Sequence, residues 1–151
     1  MRPTHEFTLW AVVMVLGLHF LEEFALDIRT WLQGVFHVPV TWEQCHLVNA
    51  VVTLMAIGGS MIGWRKPELS LIMPAILIVN AFFFHLAFSI IWQSYSPGTV
   101  SALLLFVPAG LWCFIGAHRD GVLTRRAIYV SAAGAVFVHL WLLSFHLLGP
   151  P

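Results

Sequence analysis

Five apolar stretches, each about as long as a bilayer is thick and each fenced by charge, constrain this chain more than any other feature. They run from about 7 to 24, 44 to 64, 69 to 92, 99 to 117 and 127 to 148. A helix rises about 1.5 Å per residue, so about 20 residues cross the ~30 Å hydrocarbon layer. Backbone inside that layer must satisfy every N–H and C=O internally, which leaves helices or closed barrels. The stretches lack the alternation of a membrane barrel and the polar face of a surface helix. The expectation is an all-α integral membrane helical bundle: one polytopic domain over residues 1–151 with five transmembrane helices.

Only 9% of the residues are charged, against about 25% in soluble domains. Five spans leave no room for a separate soluble catalytic domain. The formal net charge is zero and no basic stripe exists, so nucleic acid is excluded as a partner. Cys45 and Cys113 form no zinc-binding pattern. The first stretch follows Arg2 as a secretory leader would. Glu22-Glu23-Phe24 stands where a small-residue cleavage site belongs, so it reads as a retained helix.

The connectors are short, except that from Ala25 to Thr41, which is expected at the interface or folded back over the helix ends. Pro74 and Pro108 fall inside spans and should kink them or open their hydrogen-bond ladders. Gly58-Gly59-Ser60 and Ala132-Ala133-Gly134-Ala135 would permit close helix packing, including that of a homo-oligomer. Arg2, Arg65, Lys66, Arg119, Arg125 and Arg126 gather on one side of the membrane and Arg29 alone on the other. The positive-inside rule then puts the N-terminus in the cytoplasm and the C-terminus outside, with a bacterial inner membrane as the expected location.

An ionisable group in mid-membrane costs about 2.5–3.5 kcal/mol on insertion scales, so each one needs a reason. Here they gather toward the outer end of four spans. His19, Glu22 and Glu23 share a face of the first, and Glu43, His46 and Asn49 a face of the second. Asn80 and His85 lie in the third, His139 and His146 in the fifth. Histidine and carboxylate three residues apart let one helix offer two ligands to one ion, as in helical-bundle metal sites. The pairs His19/Glu22 and Glu43/His46 have that spacing. The expected metal set is His19, Glu22, His46, His85 and His139, around a divalent iron or zinc ion. Glu23 is expected to handle protons, with Asn80 beside it in the catalytic group. Glu43 reads better as a helix cap, His5 and His146 as interfacial residues, and His118 as a solvated loop residue.

The run His19-Phe20-Leu21-Glu22-Glu23 resembles the signature of the HXXEE family of small multi-pass membrane proteins. Asn80 and His85, followed by Tyr95-Ser96-Pro97-Gly98-Thr99, resemble that family's Asn/His helix and its Tyr-x-Pro-Gly turn. The resemblance covers most of the chain. It implies the fold and the site positions His19, Glu22, Glu23, Asn80 and His85, and it implies no reaction. The functional expectation is a metal-dependent enzyme in the lipid bilayer acting on a lipophilic small molecule. Its rivals are a proton or ion path, since Glu/His chains in membranes also relay protons, and a non-catalytic membrane partner subunit.

Overall fold

Six helices carry the chain in the computed structural model, which describes residues 4–148 and, for side chains, residues 4–144. They are α1 (His5–Ala25), α2 (Ile28–Phe36), α3 (Trp42–Arg65), α4 (Pro67–Ile91), α5 (Thr99–Arg119) and α6 (Arg125–Leu148). Among the described residues there is no strand. All but α2 are long and apolar enough to cross a membrane. The helices start up to two residues ahead of the apolar stretches because polar caps extend them. Thr41 and Gln44 form a reciprocal capping box at α3, and Pro67 opens α4, where its missing N–H costs nothing. Glu43 lies in the first turn of α3, and Thr41 takes the capping role expected of it.

Helix α4 is the inner one: 50% of its apolar window is buried, against 28% for α1 and α3. Leu71, Met73, Ala75, Ile76 and Leu77 disappear into the bundle. Gly110 lets α5 approach, for a Cβ there would stand 2.8 Å from Pro74 O. The outward surface is apolar instead of polar. Met14 and Phe137 are each 71% exposed, while Thr8, Ser60 and Ser131 are buried. The buried hydroxyls bond carbonyls, and Ser60 joins α3 to α1 through Leu9 O at 3.0 Å. Small polar groups between helices and hydrocarbon outside is the arrangement that a lipid solvent selects.

Two spans carry wide π-helical turns, at Asn80–Ala87 in α4 and Ala102–Phe106 in α5. The second immediately precedes Pro108, whose missing N–H opens the ladder as expected. Pro74 follows a break at Leu71. No proline accounts for the stretch in α4, which holds both Asn80 and His85.

One end of the bundle is fastened by Asp120, just past α5. Its carboxylate accepts from His5 N–H at 2.5 Å and Trp64 Nε1–H at 2.8 Å, and lies 2.7 Å from His5 Nδ1. Burial acts to raise this carboxyl, but the bonds from His5 and Trp64 outweigh it and hold it below the usual range. His5 is therefore a tie between helix ends, whereas His118 is exposed as expected. At the other end α2 folds back over the bundle. Asp27 (φ 50°) and His37 (φ 56°) turn the chain into and out of it in the left-handed region. Asp27 accepts from the Thr30 hydroxyl at 2.6 Å and from Thr30 N–H at 3.3 Å, which lowers its pKa.

Candidate metal centre and cavity

His19 on α1 and Glu23 one turn later share a face, and His19 Nε2 lies 3.3 Å from Glu23 Oε1. His85 reaches the same oxygen from α4, with Nε2 at 4.0 Å. Both imidazoles are almost wholly buried, 2% and 3% exposed. Their rings meet edge to face, centroids 4.8 Å apart. The ligand atoms of His19, Glu23 and His85 all lie within 4.8 Å of one another.

The turn between α4 and α5 aims both rings. Ser101 Oγ is 2.9 Å from His19 Nδ1, and Ser96 Oγ is 3.2 Å from His85 Nδ1. The turn is held by its own hydroxyls: Thr99 Oγ1 donates to Ser96 O at 2.6 Å, and Ser89 Oγ accepts from Ser96 N–H at 3.0 Å. Gly98 lies against the site with φ +94°. A Cβ there would sit 2.6 Å from His19 Cε1 and 2.8 Å from His85 Cε1, so the position requires glycine twice over.

Proton placement follows from these contacts. Ser101 Oγ donates to Gly98 O at 3.2 Å. With that proton on Gly98 O, His19 Nδ1–H donates to Ser101; with it on His19 Nδ1, His19 Nε2–H donates to Glu23 instead. In the first of these tautomers a neutral His19 turns the Nε2 lone pair toward the Glu23 carboxylate. Two acceptors at 3.3 Å repel unless a cation, proton or metal, lies with them.

Glu22 faces another way. Tyr95 O–H donates to its Oε1 at 2.6 Å and Ser101 N–H to its Oε2 at 2.8 Å. It ties α1 to the turn that holds the histidines. The two adjacent glutamates thus divide the work, in the reverse of the expected order: Glu23 joins the histidines, and Glu22 anchors.

Beside the cluster lies a cavity of about 140 Å³ between α1, α3, α4 and α6, covered by α2. Asn49, Asn80, Cys45, Trp31 and His139 line it together with the cluster. Asn80 Oδ1, Trp31 Nε1 and His139 Nε2 are buried and have no protein hydrogen-bond partner. His139 donates Nδ1–H to Ala135 O at 2.8 Å and stacks on Phe84, centroids 5.1 Å apart.

The expected ligand set is therefore brought together only in part. His19 and His85 meet. Glu22 is committed to Tyr95 and Ser101. His46 is exposed and stacked on Trp42, centroids 5.7 Å apart, because its position on α3 turns outward. His139 lines the cavity outside the three-residue cluster. Asn80 borders the same cavity, and the side chain of His146 lies outside the described residues. Sequence reasoning gave no role to Ser96, Ser101 and Trp31. The one available signal was the density of hydroxyls from Ser94 to Ser101 around a Pro-Gly turn at a helix start.

A family model described as "Protein of unknown function with HXXEE motif" matches residues 10–113. The chain belongs to this HXXEE family. The match takes in His19, Glu23, His85 and both serines, and stops short of His139. The chain is also similar to the uncharacterized protein YrkK of Bacillus subtilis (strain 168), 29% identical over 122 residues, which cover 76% of this chain and 77% of that protein. No solved structure matches it.

Proposed function

We propose that this HXXEE protein is a metal-dependent membrane enzyme acting on a lipophilic small molecule, with His19, Glu23 and His85 as ligands of one divalent ion, iron or zinc. One observation carries the reading: serines on one turn orient two buried imidazoles so that both Nε2 atoms face one carboxylate oxygen. Ligand histidines are commonly held in this way through the other ring nitrogen. Ligands about 2.1 Å from a tetrahedral ion lie about 3.4 Å apart. The His19–Glu23 separation of 3.3 Å already fits, His85 at 4.0 Å from Glu23 is about 0.6 Å wide, and all three ligand atoms, within 4.8 Å of one another, need to close by at most about 1.4 Å. Two histidines and a carboxylate suit catalytic zinc and non-haem iron alike, and leave positions open for water or substrate. When bound, such an ion supplies Lewis acidity or an activated water.

The fastening at Asp120 gathers the α3–α4 and α5–α6 connectors, with Arg65, Lys66, Arg119, Arg125 and Arg126, at one end. That distribution supports a cytoplasmic N-terminus, an external C-terminus and a site in the outer half of a bacterial inner membrane. One rival has an observation in its favour: a proton shared by His19 and Glu23 relieves the same repulsion and would make the cluster part of a relay. Elemental analysis of the detergent-purified protein, loaded with Zn(II) or Fe(II), separates the two. The expected result is near-stoichiometric metal that His19→Ala and His85→Ala each abolish. Loaded wild type without metal overturns the proposal and favours the relay.

A further inference from the structure

We infer that the cavity beside the cluster binds an uncharged ligand about one ring in size that carries a hydroxyl group, and that Asn80 and His139 select it. This deepens the proposed enzymatic reading by naming a substrate class, and its test is separable from the metal. The size comes first. A cavity of about 140 Å³ is close to the ~150 Å³ apolar cavity that accepts a benzene. The walls supply the chemistry. His139 gives its Nδ1 proton to a carbonyl, which can only accept. Its neutral Nε2 is therefore a lone-pair acceptor, on a side chain 5% exposed. Asn80 Oδ1 is a second buried acceptor without a protein partner, and Trp31 Nε1–H a buried donor without one.

Such groups are costly to bury unsatisfied, and reject ligands that cannot answer them. A hydrocarbon leaves all three unpaired. A carboxylate or phosphate brings acceptors to acceptors, and the described lining holds no Lys or Arg to receive it. An ammonium group would meet the Trp31 N–H. A hydroxyl donates its one proton to one of the two lone pairs and accepts from the indole, and so suits both kinds of group.

Fluorine NMR of para-fluorobenzyl alcohol, para-fluorotoluene and para-fluorobenzoate with the purified, metal-stripped protein tests this. Val48→Phe, which fills the cavity, separates cavity binding from detergent binding. The expected result is a bound alcohol resonance, about tenfold weaker binding of the toluene, no binding of the benzoate, and no bound signal in Val48→Phe. Of Asn80→Leu and His139→Leu, the one that removes the acceptor the hydroxyl uses should erase most of the preference for alcohol over toluene, and both should still bind the toluene. Equal affinity for alcohol and toluene in wild type, binding of benzoate, a signal that survives Val48→Phe, or a preference unchanged in both acceptor variants overturns the inference. Metal content of separately loaded samples distinguishes the failures. Metal without alcohol preference defeats this inference alone, and alcohol preference without metal defeats the metal reading alone.

Discussion

Neighbouring carboxylates with opposite duties make a decisive pair of variants. Glu22→Gln keeps one acceptor for Ser101 N–H and can offer an amide N–H to Tyr95. It turns two charge-assisted bonds into neutral ones. Bonds to charged groups contribute about 1.5–3 kcal/mol each, and neutral ones about half. Tyr95 is half exposed, so the lower end applies, with a loss of about 1–2 kcal/mol in all. For a chain of this size about 2–4 °C accompanies each kcal/mol, so the thermal midpoint should fall by about 2–8 °C. Glu23→Gln behaves differently. Its amide can donate to the His19 Nε2 lone pair and relieve the repulsion, so stability measured without metal should stay within about 1 kcal/mol of wild type. Its metal content should vanish, while Glu22→Gln keeps most of its own. The assays are thermal unfolding of metal-stripped protein and elemental analysis of loaded protein. Tyr95 adds an independent signal. Burial and the Glu22 charge hold its phenol above the usual range, so Glu22→Gln should lower that pKa in an alkaline absorbance titration, with the exposed Tyr129 as internal reference. Metal loss equal in both variants, or a larger stability loss in Glu23→Gln, would refute this division of labour.

Gly98→Ala should lose the metal although every ligand remains, because its Cβ enters both imidazoles. The left-handed backbone adds about 1–2 kcal/mol, read as a lowered midpoint beside elemental analysis, and a variant with full metal content would contradict the packing argument. His46→Ala should keep its metal, since that ring stacks on Trp42 away from the cluster; depletion would restore His46 to the ligand set. Asp120→Ala should lower the thermal midpoint at neutral pH. The Asp120 carboxyl is depressed in the fold below 3.8, so its stabilisation is fully present above that value and disappears as pH falls through the still lower folded pKa. The variant and wild type should therefore begin to converge below about pH 4 and meet only below the folded pKa, as unfolding scans across pH will show.

The five long apolar helices were legible because length and hydropathy are written directly in the sequence, and each observed helix lies within two residues of its apolar stretch. Spacing also read His19 and Glu23 correctly as one face of α1. Spacing did not foresee that Glu22 and His46 lie outside the three-residue cluster, since a helical face says which residues are neighbours but not which neighbour finds a partner first. Glu22 was claimed by Tyr95 and Ser101, from a turn more than seventy residues away. The roles of Ser96 and Ser101 were out of reach for the same reason: a hydroxyl near a Pro-Gly turn has many possible acceptors, and only the fold chooses a histidine. The cavity was equally hidden, because its unpartnered atoms come from α2, α4 and α6 and become visible only once these close on one another.

The wide turn at Asn80–Ala87 gives residue count the same importance as residue identity. A π-helical turn accommodates an additional residue, so His85 holds its bearing only while the stretch keeps its length. Deleting one residue between Asn80 and His85 would let the segment rewind as an ordinary α-helix. The two flanks would then keep their register, because the wide turn had absorbed the additional residue, and the side chains inside the stretch would be re-aimed. Asn80 and His85, which both lie in that stretch, would lose the bearings that bring them to the cavity and to Glu23. A single missing codon here would be more damaging than most substitutions, and the connector from Asp120 to Thr124 should tolerate changes of length far better.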